Sequence, residues 1–426
     1  MEAAPKALGL AFTALGLMLL AVHRGSPALA VAASALLVIL AYMAGVAEGV
    51  SEAMGGFEAS RFPEHVRVVE GDAVHVTLRL RNATQRVIHS ITLREGLPET
   101  LKPEGGPAVY RGSLEGFGGV EASYTVRPPP GLHRIEYVDV EAGDPLGLYK
   151  SRTRLWATTT IQAYPRPLST AQGPARRLGL AEAVASRRRG WGLEFYSLRD
   201  YQPGDDPRLI AWLPSGRAGR PLVRENVEER ALDVCVFLDL SLESWAGGPW
   251  GSSAAWIMRL ALGVLEASAS TGGWACYTAY LGESTLRMPP TRAPEVLEWL
   301  AEQLSSVSPR HAVPRKRLAR AVERFESEAP RSFYTLYLLG PGASLDAAEA
   351  LAAAPTRWRA VAVAVMPHGS RLAEALAEAY RRIDSPGVAK LRASGIPAYI
   401  AGSPPALLEA VAEGLSEVAR RAPIIH

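Results

Sequence analysis

The sequence predicts a multidomain protein in which an N-terminal transmembrane helical hairpin precedes an all-β sandwich and a doubly wound α/β domain. Three patterns carry this prediction. Two long uncharged stretches lie near the N-terminus, apolar and polar residues alternate in the middle, and apolar strands alternate with amphipathic helices in the last half. With 426 residues the chain exceeds what one hydrophobic core usually serves, so several domains are expected.

The predicted hairpin occupies residues 1–50. Uncharged stretches run over residues 7–22 and 27–47, separated by the short polar sequence HRGS. As a helix, at about 1.5 Å per residue, the second stretch can cross a bilayer, whereas the first is marginal by itself. Two crossings return the chain to its starting side, so we expect a two-pass protein of the cell membrane. The alternative is a secretory signal with Lys6 as its basic start and small residues near Ala30 as its cleavage site, but it explains only the first stretch.

The all-β part is predicted over residues 57–166. Sequences such as HVTLRLRN and LHRIEYVDV alternate apolar and polar residues and are separated by Gly, Pro and Asn turns. Short strands at this spacing are typical of a sandwich of immunoglobulin-like size. No cluster of metal ligands or nucleophiles stands out in this part, so we expect it to bind a partner or to act as a spacer.

The doubly wound α/β domain is predicted over residues 232–426. Its first strand, within LDVCVFLDLS, is apolar and ends at Asp239. Further apolar strands alternate with helical patterns, which favours a parallel sheet covered on both faces. Ligands of such sheets bind at the carboxyl ends of the strands, where Asp239 and Ser241 lie. No glycine-rich phosphate loop follows this strand, which argues against nucleotide binding.

Between the two domains we predict a linker over residues 167–190 and a charged arm over residues 191–231. The arm interleaves large apolar residues with charges, so we expect it to pack while its charges pair with one another or with a partner. Its candidate residues, for partner binding or for an internal structural brace, are Glu194, Arg199, Tyr201, Gly204, Asp205, Asp206, Arg208 and Trp212. Either arginine is close enough in sequence to form a bidentate pair with an aspartate of the arm.

Composition excludes several classes of protein. A formal net charge of +3 is too small for nucleic-acid binding without a concentrated basic patch. Cys235 and Cys276 supply neither a disulfide framework nor a zinc ligand set, and we expect two small buried core residues. A disulfide between them is the alternative, provided that their strands are neighbours. The sequence has no G-x-S-x-G or H-E-x-x-H motif and its histidines are scattered, so we expect no enzyme.

The end of the first α/β strand resembles the start of the metal-ion-dependent adhesion site of von Willebrand factor type A domains. That family has Asp-x-Ser-x-Ser, whereas this chain has Asp239, Ser241 and Glu243, with Ser244 one place late. The resemblance implies a von Willebrand factor A-like fold and a degenerate site in which Asp239 and Ser241 offer hard oxygen ligands to Mg²⁺. The family's later threonine and aspartate ligands are not evident. The alternative is that Asp239 caps the segment that follows it.

The arm resembles the signature of the domain of unknown function 58 (DUF 58) family. The sequence that carries the resemblance is GLEFYSLRDYQPGDDPRLIAW, residues 192–212, and the likeness extends to PLVRENVEER and GDPLGLY. Members of that family resemble partners of MoxR-type AAA+ ATPases. The resemblance therefore implies a membrane-anchored protein-binding module or adaptor whose soluble domains face the cytoplasm, where the ATPase finds nucleotide. An outward-facing envelope structural or adhesion protein, also without catalysis, is the alternative.

Overall fold

The computed structural model describes residues 2–105, 108–168, 189–190, 194–227, 231–354 and 357–421; residues 189–190, 194–197, 225–227 and 357 are described as backbone only. The chain forms two compact units, Met1–Ala163 and Tyr164–His426, called the first and second unit below. Most of the predicted linker, residues 169–188, lies outside the described residues. Its first part does not behave as a linker, because the Leu168 N–H donates to the Arg259 carbonyl at 2.7 Å and its side chain packs on the core of the second unit.

Two apolar helices open the first unit, α1 (Pro5–Arg24) and α2 (Pro27–Ala53). Each begins at a proline, whose fixed φ and missing N–H suit the first helical position. α1 ends where Gly25 adopts a left-handed φ of 62°, which glycine takes without strain. Both helices are long and apolar enough to cross a membrane, as the sequence predicted.

Small residues supply most of the buried positions of these helices. The buried positions of α1 are Ala7, Ala14 and Ala21, and α2 buries Ala33, Leu40 and Ala47 at the same spacing. Seven residues make about two helical turns, so each set lies on one face of its helix, and alanine allows two backbones to approach closely. Leu40 is the large residue among these positions, whereas many other large apolar side chains of the helices are exposed; Phe12, for example, is 72% exposed. Their outward orientation suits a lipid environment.

The residues predicted as a sandwich form two antiparallel sheets. One has the order β1-β10-β9-β5-β7, with β3 also paired to β10, and the other has the order β2-β4-β8-β6. The strands are β1 (Glu2–Ala3), β2 (Phe57–Phe62), β3 (His65–Val69), β4 (Val74–Asn82), β5 (Ile88–Glu95), β6 (Pro103–Glu104), β7 (Val109–Leu114), β8 (Gly119–Val126), β9 (Gly131–Gly143) and β10 (Tyr149–Tyr164).

The helical hairpin and the sheets share one hydrophobic core. Val50 and Ala53 at the end of α2 pack in the same cluster as Leu80 of β4 and Ile91 of β5. Glu2 and Ala3, just before α1, pair with β10 as the short strand β1. The sequence placed a boundary at residue 50, but the structure joins the hairpin to the sheets on both of its ends. The helices are therefore held to the β part by burial as well as by the chain.

A buried ion pair connects the two sheets of the first unit. The Arg61 side chain, on β2, is fully buried and donates to Glu95 Oε2 of β5 at 2.5 Å. It also donates to the carbonyl oxygens of Ile135 at 2.8 Å and Tyr137 at 3.1 Å, both on β9. Burial raises the pKa of Glu95, while the Arg61 guanidinium opposes that rise. A cation of one sheet thus has all its named acceptors on the other.

The second unit consists of a short antiparallel sheet followed by an α/β part. Its strands are β11 (Arg189–Gly190), β12 (Glu194–Asp200), β13 (Leu222–Val227), β14 (Val234–Asp239), β15 (Trp274–Tyr280), β16 (Thr285–Arg292), β17 (Tyr334–Leu339), β18 (Ala360–Val365) and β19 (Ala398–Ala401). Its helices are α3 (Trp212–Ala218), α4 (Ser253–Ser270), α5 (Ala293–Ser305), α6 (Leu318–Glu328), α7 (Ser344–Ala352), α8 (Arg371–Ala393) and α9 (Pro404–Arg421).

The sheet of the α/β part has the order β16-β15-β14-β17-β18-β19. All neighbouring pairs are parallel except β15 and β16, which are antiparallel. The sequence did not predict β16. The four residues 281–284 that separate it from β15 are too few for a parallel crossover, which needs a dozen or more residues. The short connection therefore forces the antiparallel direction.

Two helices differ from the sequence prediction. The sequence pattern predicts a helix over residues 314–328, but α6 begins only at Leu318, because residues 313–316 hydrogen-bond to the loops at the strand ends. The sequence pattern also predicts a helix over residues 370–383, but α8 continues to Ala393 with Pro386 inside it. Proline removes one helical hydrogen bond, but Val388 and Leu391 beyond it are buried, so tertiary packing extends the helix.

The sheet is covered on both faces, as the sequence predicted. Alternate residues of β14 enter different clusters: Val234, Val236 and Leu238 lie in one, and Cys235 and Phe237 lie in the other. Because side chains of a strand alternate between the faces of a sheet, each cluster belongs to one face. All six residues of β14 are buried, which places this strand at the centre of the unit.

Cys235 and Cys276 form a disulfide. The prediction of two separate core thiols is therefore wrong, and the alternative is the one observed. The reason lies in strand register: β14 pairs with β15 so that Cys235 stands directly opposite Cys276, with Cα atoms 4.5 Å apart. The bond joins the two strands within the cluster that contains Phe237.

A carboxyl group, that of Glu326, is buried between α6 and β17. Glu326 on α6 is 6% exposed and accepts a hydrogen bond from the Tyr337 hydroxyl of β17. Burial raises the pKa of Glu326 to about 7, because the ionised form would lose its hydration.

Glu326→Gln is expected to remove a pH dependence of stability. The unfolded carboxyl ionises near pH 4.5, whereas the folded one stays protonated up to about pH 7, so wild-type stability falls as pH rises between these values. The loss is of the order of 1–3 kcal/mol. Urea unfolding of the detergent-solubilised chain at pH 5 and pH 8 measures it. Glu328→Gln, an exposed change on the same helix, is the matched control, and equal pH dependence in both variants would contradict the prediction.

Candidate functional site

The charged arm is built around the pairing of β12 with β13. The two strands are antiparallel, and between them the chain makes a turn, a short 3-10 helix at Pro207–Leu209 and α3. In the turn, the Asp205 N–H donates to the Gln202 carbonyl at 3.0 Å. Gly204 has a φ of +108°, which side-chain-bearing residues rarely adopt. This accounts for the glycine of the sequence motif.

The aspartates of the turn bond within the arm. Arg199 donates to both carboxylate oxygens of Asp205 at 2.6 Å, and the Gln202 N–H donates to Asp205 Oδ2 at 2.8 Å. The guanidinium and then this N–H lower the pKa of Asp205 to about 2. Asp206 accepts from the Arg208 N–H at 2.9 Å and thereby caps the 3-10 helix. Both carboxylates thus have geometry suited to an internal brace.

The helix α3 presents large apolar side chains to solvent. Trp212 is 73% exposed and Leu213 is 74% exposed, contrary to the expectation that the large apolar residues of the arm pack. The inner side of this helix is taken by Ser215, whose hydroxyl donates to the Ala211 carbonyl at 2.7 Å and accepts from the Leu222 N–H at 2.8 Å. Trp212 and Leu213 are therefore turned outward.

We call the exposed stretch formed by Arg208, Trp212 and Leu213 the arm surface. Arg208 is exposed, and in the described part of the chain no hydrogen bond or ion pair involves its side chain. Tyr201 is half-buried, and its N–H donates to the Pro221 carbonyl at 3.0 Å. Glu194 is described only as backbone in β12. Of the predicted side chains whose burial the structure describes, those of Arg208 and Trp212 are exposed.

The second candidate site lies at the carboxyl end of β14. Asp239 and Ser241 are fully buried and in contact: the Ser241 hydroxyl donates to Asp239 Oδ1 at 2.6 Å, and the Ser241 N–H donates to the same oxygen at 3.1 Å. On the neighbouring strand end, the Gly340 N–H donates to Asp239 Oδ2 at 3.1 Å. The structure therefore brings the two predicted ligands together. The loops that follow β14 and β17 both donate hydrogen bonds to the Asp239 carboxylate.

The cation beside this carboxylate is an arginine that the sequence did not single out. Arg315 Nη2 lies 2.8 Å from Asp239 Oδ2 and 3.1 Å from the Pro341 carbonyl oxygen. Its side chain is 8% exposed. Arg315 belongs to the run PRKR, residues 314–317, in which no local feature distinguishes it from Lys316 or Arg317. Its role follows from the fold alone.

The site has the wrong complement of groups for Mg²⁺. Mg²⁺ takes oxygen ligands with free lone pairs, among them one or two carboxylates and several waters. The Asp239 carboxylate already accepts from Ser241, Arg315 and Gly340, and the Glu243 carboxylate accepts from the Arg315 N–H at 3.0 Å. Across the described residues, no group of three or more His, Cys, Asp or Glu side chains could hold a metal ion. The guanidinium and a divalent ion would also repel each other beside one carboxylate.

Residues 197–372 match the protein family described as "Protein of unknown function DUF58". A curated relative, the uncharacterized protein YeaD of Bacillus subtilis, is 25% identical over 189 residues, which are 43% of this chain. The chain spans about half, 48%, of the length of that relative. The family match includes most of the arm, the disulfide and the strand-end site.

Solved structures give only weak likenesses. A human complex of zinc 2-glycoprotein with prolactin inducible protein has 15% identity and a TM-score of 0.20, covering 25% of this chain and 92% of that chain. A structure concerning T cell activation by the bacterial superantigen toxic shock syndrome toxin-1 has 15% identity and a TM-score of 0.15, covering 25% and 98%. Scores this low carry no argument about fold or function.

Asp205→Ala is expected to loosen the arm much more than Asp206→Ala. The first change removes the bidentate partner of Arg199 and an acceptor for the turn, whereas the second removes one cap. Limited trypsin digestion measures the difference, because cleavage tracks the population of the opened arm. We expect cleavage after Arg199 to accelerate by roughly an order of magnitude in Asp205→Ala. Equal cleavage rates in the two variants would argue against the brace.

Proposed function

We propose that this chain is a membrane-anchored protein-binding module that acts as an adaptor for a MoxR-type AAA+ ATPase. The observation that carries the proposal is the arm surface. Its aromatic and aliphatic side chains are exposed on a segment whose turn is braced internally by the Arg199–Asp205 pair, which leaves Arg208 exposed beside them in sequence. Exposed Trp next to Arg is the composition that dominates protein–protein contacts. Burying Trp212 and Leu213 against a partner removes apolar surface from water.

The arrangement of the α/β part supports a von Willebrand factor A-like assignment. Counted from β14 as the first strand, the sheet order is 3-2-1-4-5-6, the doubly wound order, with an antiparallel third strand. An Asp-x-Ser sequence stands at the end of the first strand. Domains of this type recognise protein partners, which agrees with a binding role. The two antiparallel sheets of the first unit favour an immunoglobulin-like sandwich that spaces or orients this part.

The ATPase partner and the cytoplasmic orientation rest on the family likeness. The DUF58 match covers residues 197–372, which include Trp212 and Leu213. An AAA+ partner needs cytoplasmic nucleotide, so the second unit is placed on that side of the membrane. The two spanning helices bring both ends of the hairpin to one side, where the first unit continues into the second. We infer no catalytic step.

The outward-facing structural or adhesion role remains the second candidate, and one observation favours it. The disulfide between Cys235 and Cys276 is typical of oxidising compartments, outside the exception of hyperthermophiles. An external domain would keep this bond without protection from cellular reductants. The two candidates share their structure and differ in the side of the membrane on which the second unit lies.

The partner proposal predicts that the arm surface is needed for ATPase capture. The tagged full-length chain, extracted in detergent, should co-purify with an AAA+ ATPase identified by mass spectrometry. In the double variant Trp212→Ala/Leu213→Ala, recovery should fall by roughly tenfold or more while the melting temperature stays unchanged, because both side chains are exposed. Trp299→Ala, a change of another exposed tryptophan on α5, is the matched control. If only envelope proteins co-purified with the wild-type chain, the proposed ATPase partnership would be wrong.

The orientation predicts where a protease can reach the second unit. Trypsin added to intact cells should leave it whole, and trypsin added to inside-out membrane vesicles should cut it. Both samples are probed with an antibody to the C-terminus. Cleavage in intact cells, with protection in the vesicles, would instead support the outward-facing role.

A further inference from the structure

We propose that Arg315 is the resident cation of the strand-end site, so that a guanidinium and not a divalent metal neutralises Asp239. This inference concerns how the domain is built and does not depend on the proposed partner. It also means that Arg315 occupies the position beside Asp239 that a metal ion would need. Recognition of a partner through a bound metal at this site would then be excluded.

The Asp239 carboxylate is saturated with hydrogen bonds. Oδ1 accepts from the N–H and the hydroxyl of Ser241, and Oδ2 accepts from Arg315 Nη2 and the Gly340 N–H. An ionised carboxylate offers about four lone-pair sites, and all are used by these four donors. Asp239 is 0% exposed, so no water shell remains to be exchanged for a metal. A metal could bind here only by displacing one of these donors.

Arg315 is held by hydrogen bonds of its backbone as well as of its side chain. Its N–H donates to Glu243 Oε1 at 3.0 Å and to Oε2 at 3.2 Å. On either side of it, the Val313 carbonyl accepts from the Leu242 N–H at 3.1 Å, and the Lys316 N–H donates to the Tyr280 hydroxyl at 2.9 Å. These bonds fix the loop across the ends of β14 and β15. The position of Arg315 in the site is therefore fixed by the surrounding hydrogen bonds.

A cationic Arg315 at this site also accounts for a departure from the adhesion-site pattern. Where that pattern has its last serine, this chain has Glu243, and a serine there would be a metal ligand. Here the carboxylate tethers the backbone of the residue whose guanidinium serves as the cation. The exchange of Ser for Glu and the presence of Arg315 therefore belong to one arrangement. The Arg315 guanidinium thereby neutralises Asp239 without a metal, while a backbone N–H holds the Glu243 carboxylate.

One group at the site argues the other way. The Ser244 hydroxyl is fully buried and has no hydrogen-bond partner in the described part of the chain. It lies close to the backbone of Gly340, where an added Cβ would come within 1.9 Å of its oxygen and 3.1 Å of Asp239 Oδ2. If the loop with Arg315 swung away, Asp239, Ser241 and Ser244 would offer oxygen ligands. Wild-type protein would then bind a divalent ion, which makes the proposal testable.

The experiment uses the full-length chain in detergent, with Mg²⁺ and Mn²⁺ as the probes. The melting temperature is followed by tryptophan fluorescence in EDTA and in millimolar Mg²⁺, and bound Mn²⁺ is measured by electron paramagnetic resonance. For the wild type we expect one melting temperature in both buffers and no bound Mn²⁺. A wild-type melting temperature that rises with Mg²⁺, together with its loss in Asp239→Asn, would overturn the proposal, since ligands that bind the folded state stabilise it.

Variants test the stabilising role of the guanidinium. Arg315→Ala leaves Asp239 buried without a counter-charge, so its melting temperature should fall by roughly 6–20 °C. Arg324→Ala removes an exposed ion pair with Glu328 and should change it by at most about 4 °C. Arg315→Lys keeps the charge and should lie between the two. If Arg315→Ala melts like Arg324→Ala, the proposal is wrong; if Arg315→Ala does not fold, Arg315→Lys and the wild-type metal measurements decide.

Discussion

The ion pair between Asp239 and Arg315 is the constraint around which the α/β part is organised. Asp239 ends the central strand of the sheet, and its carboxylate collects donors from the strand-end loops of β14 and β17 and from the segment before α6. A buried charge without a partner is strongly unfavourable, so these loops have one arrangement that satisfies it. The late start of α6 follows from the same requirement, because the chain must first lay Arg315 across the strand ends.

The arm differs from the α/β part because the charged groups of its turn pair with residues close in sequence. The arm surface therefore stays exposed. Arg199 and Asp205 satisfy each other six residues apart in sequence, and Asp206 bonds to a backbone N–H two residues on. Because these groups need nothing from outside, the arm keeps its shape while Trp212 and Leu213 stay exposed. Exposed apolar side chains on a rigid support are suited to recognition, since little conformational entropy is lost when they are buried.

In the first unit, the helices and the sheets share a hydrophobic core and a strand pairing. The end of α2 packs in the core between the sheets, and the residues before α1 extend one sheet. Residues at seven-residue spacing, all alanine except Leu40, are buried between the helices, and many of the large apolar side chains are exposed. The Arg61–Glu95 pair then ties the sheets at a buried point. The helical hairpin is thus connected to the β part at the start of α1 and at the end of α2.

Periodicity and composition were enough to predict the two apolar helices, the alternating β part and the series of strands and helices, because each depends on local patterning along the chain. The same holds for Gly204, whose φ is set by its own turn, and for the nearby Arg199–Asp205 pair. Local pattern could not identify Arg315, which lies 76 residues from Asp239 in sequence and meets it only at the sheet edge. The Cys235–Cys276 bond and the outward turn of Trp212 were likewise decided by tertiary structure, since strand register and the burial of neighbouring side chains arise only when distant segments pack.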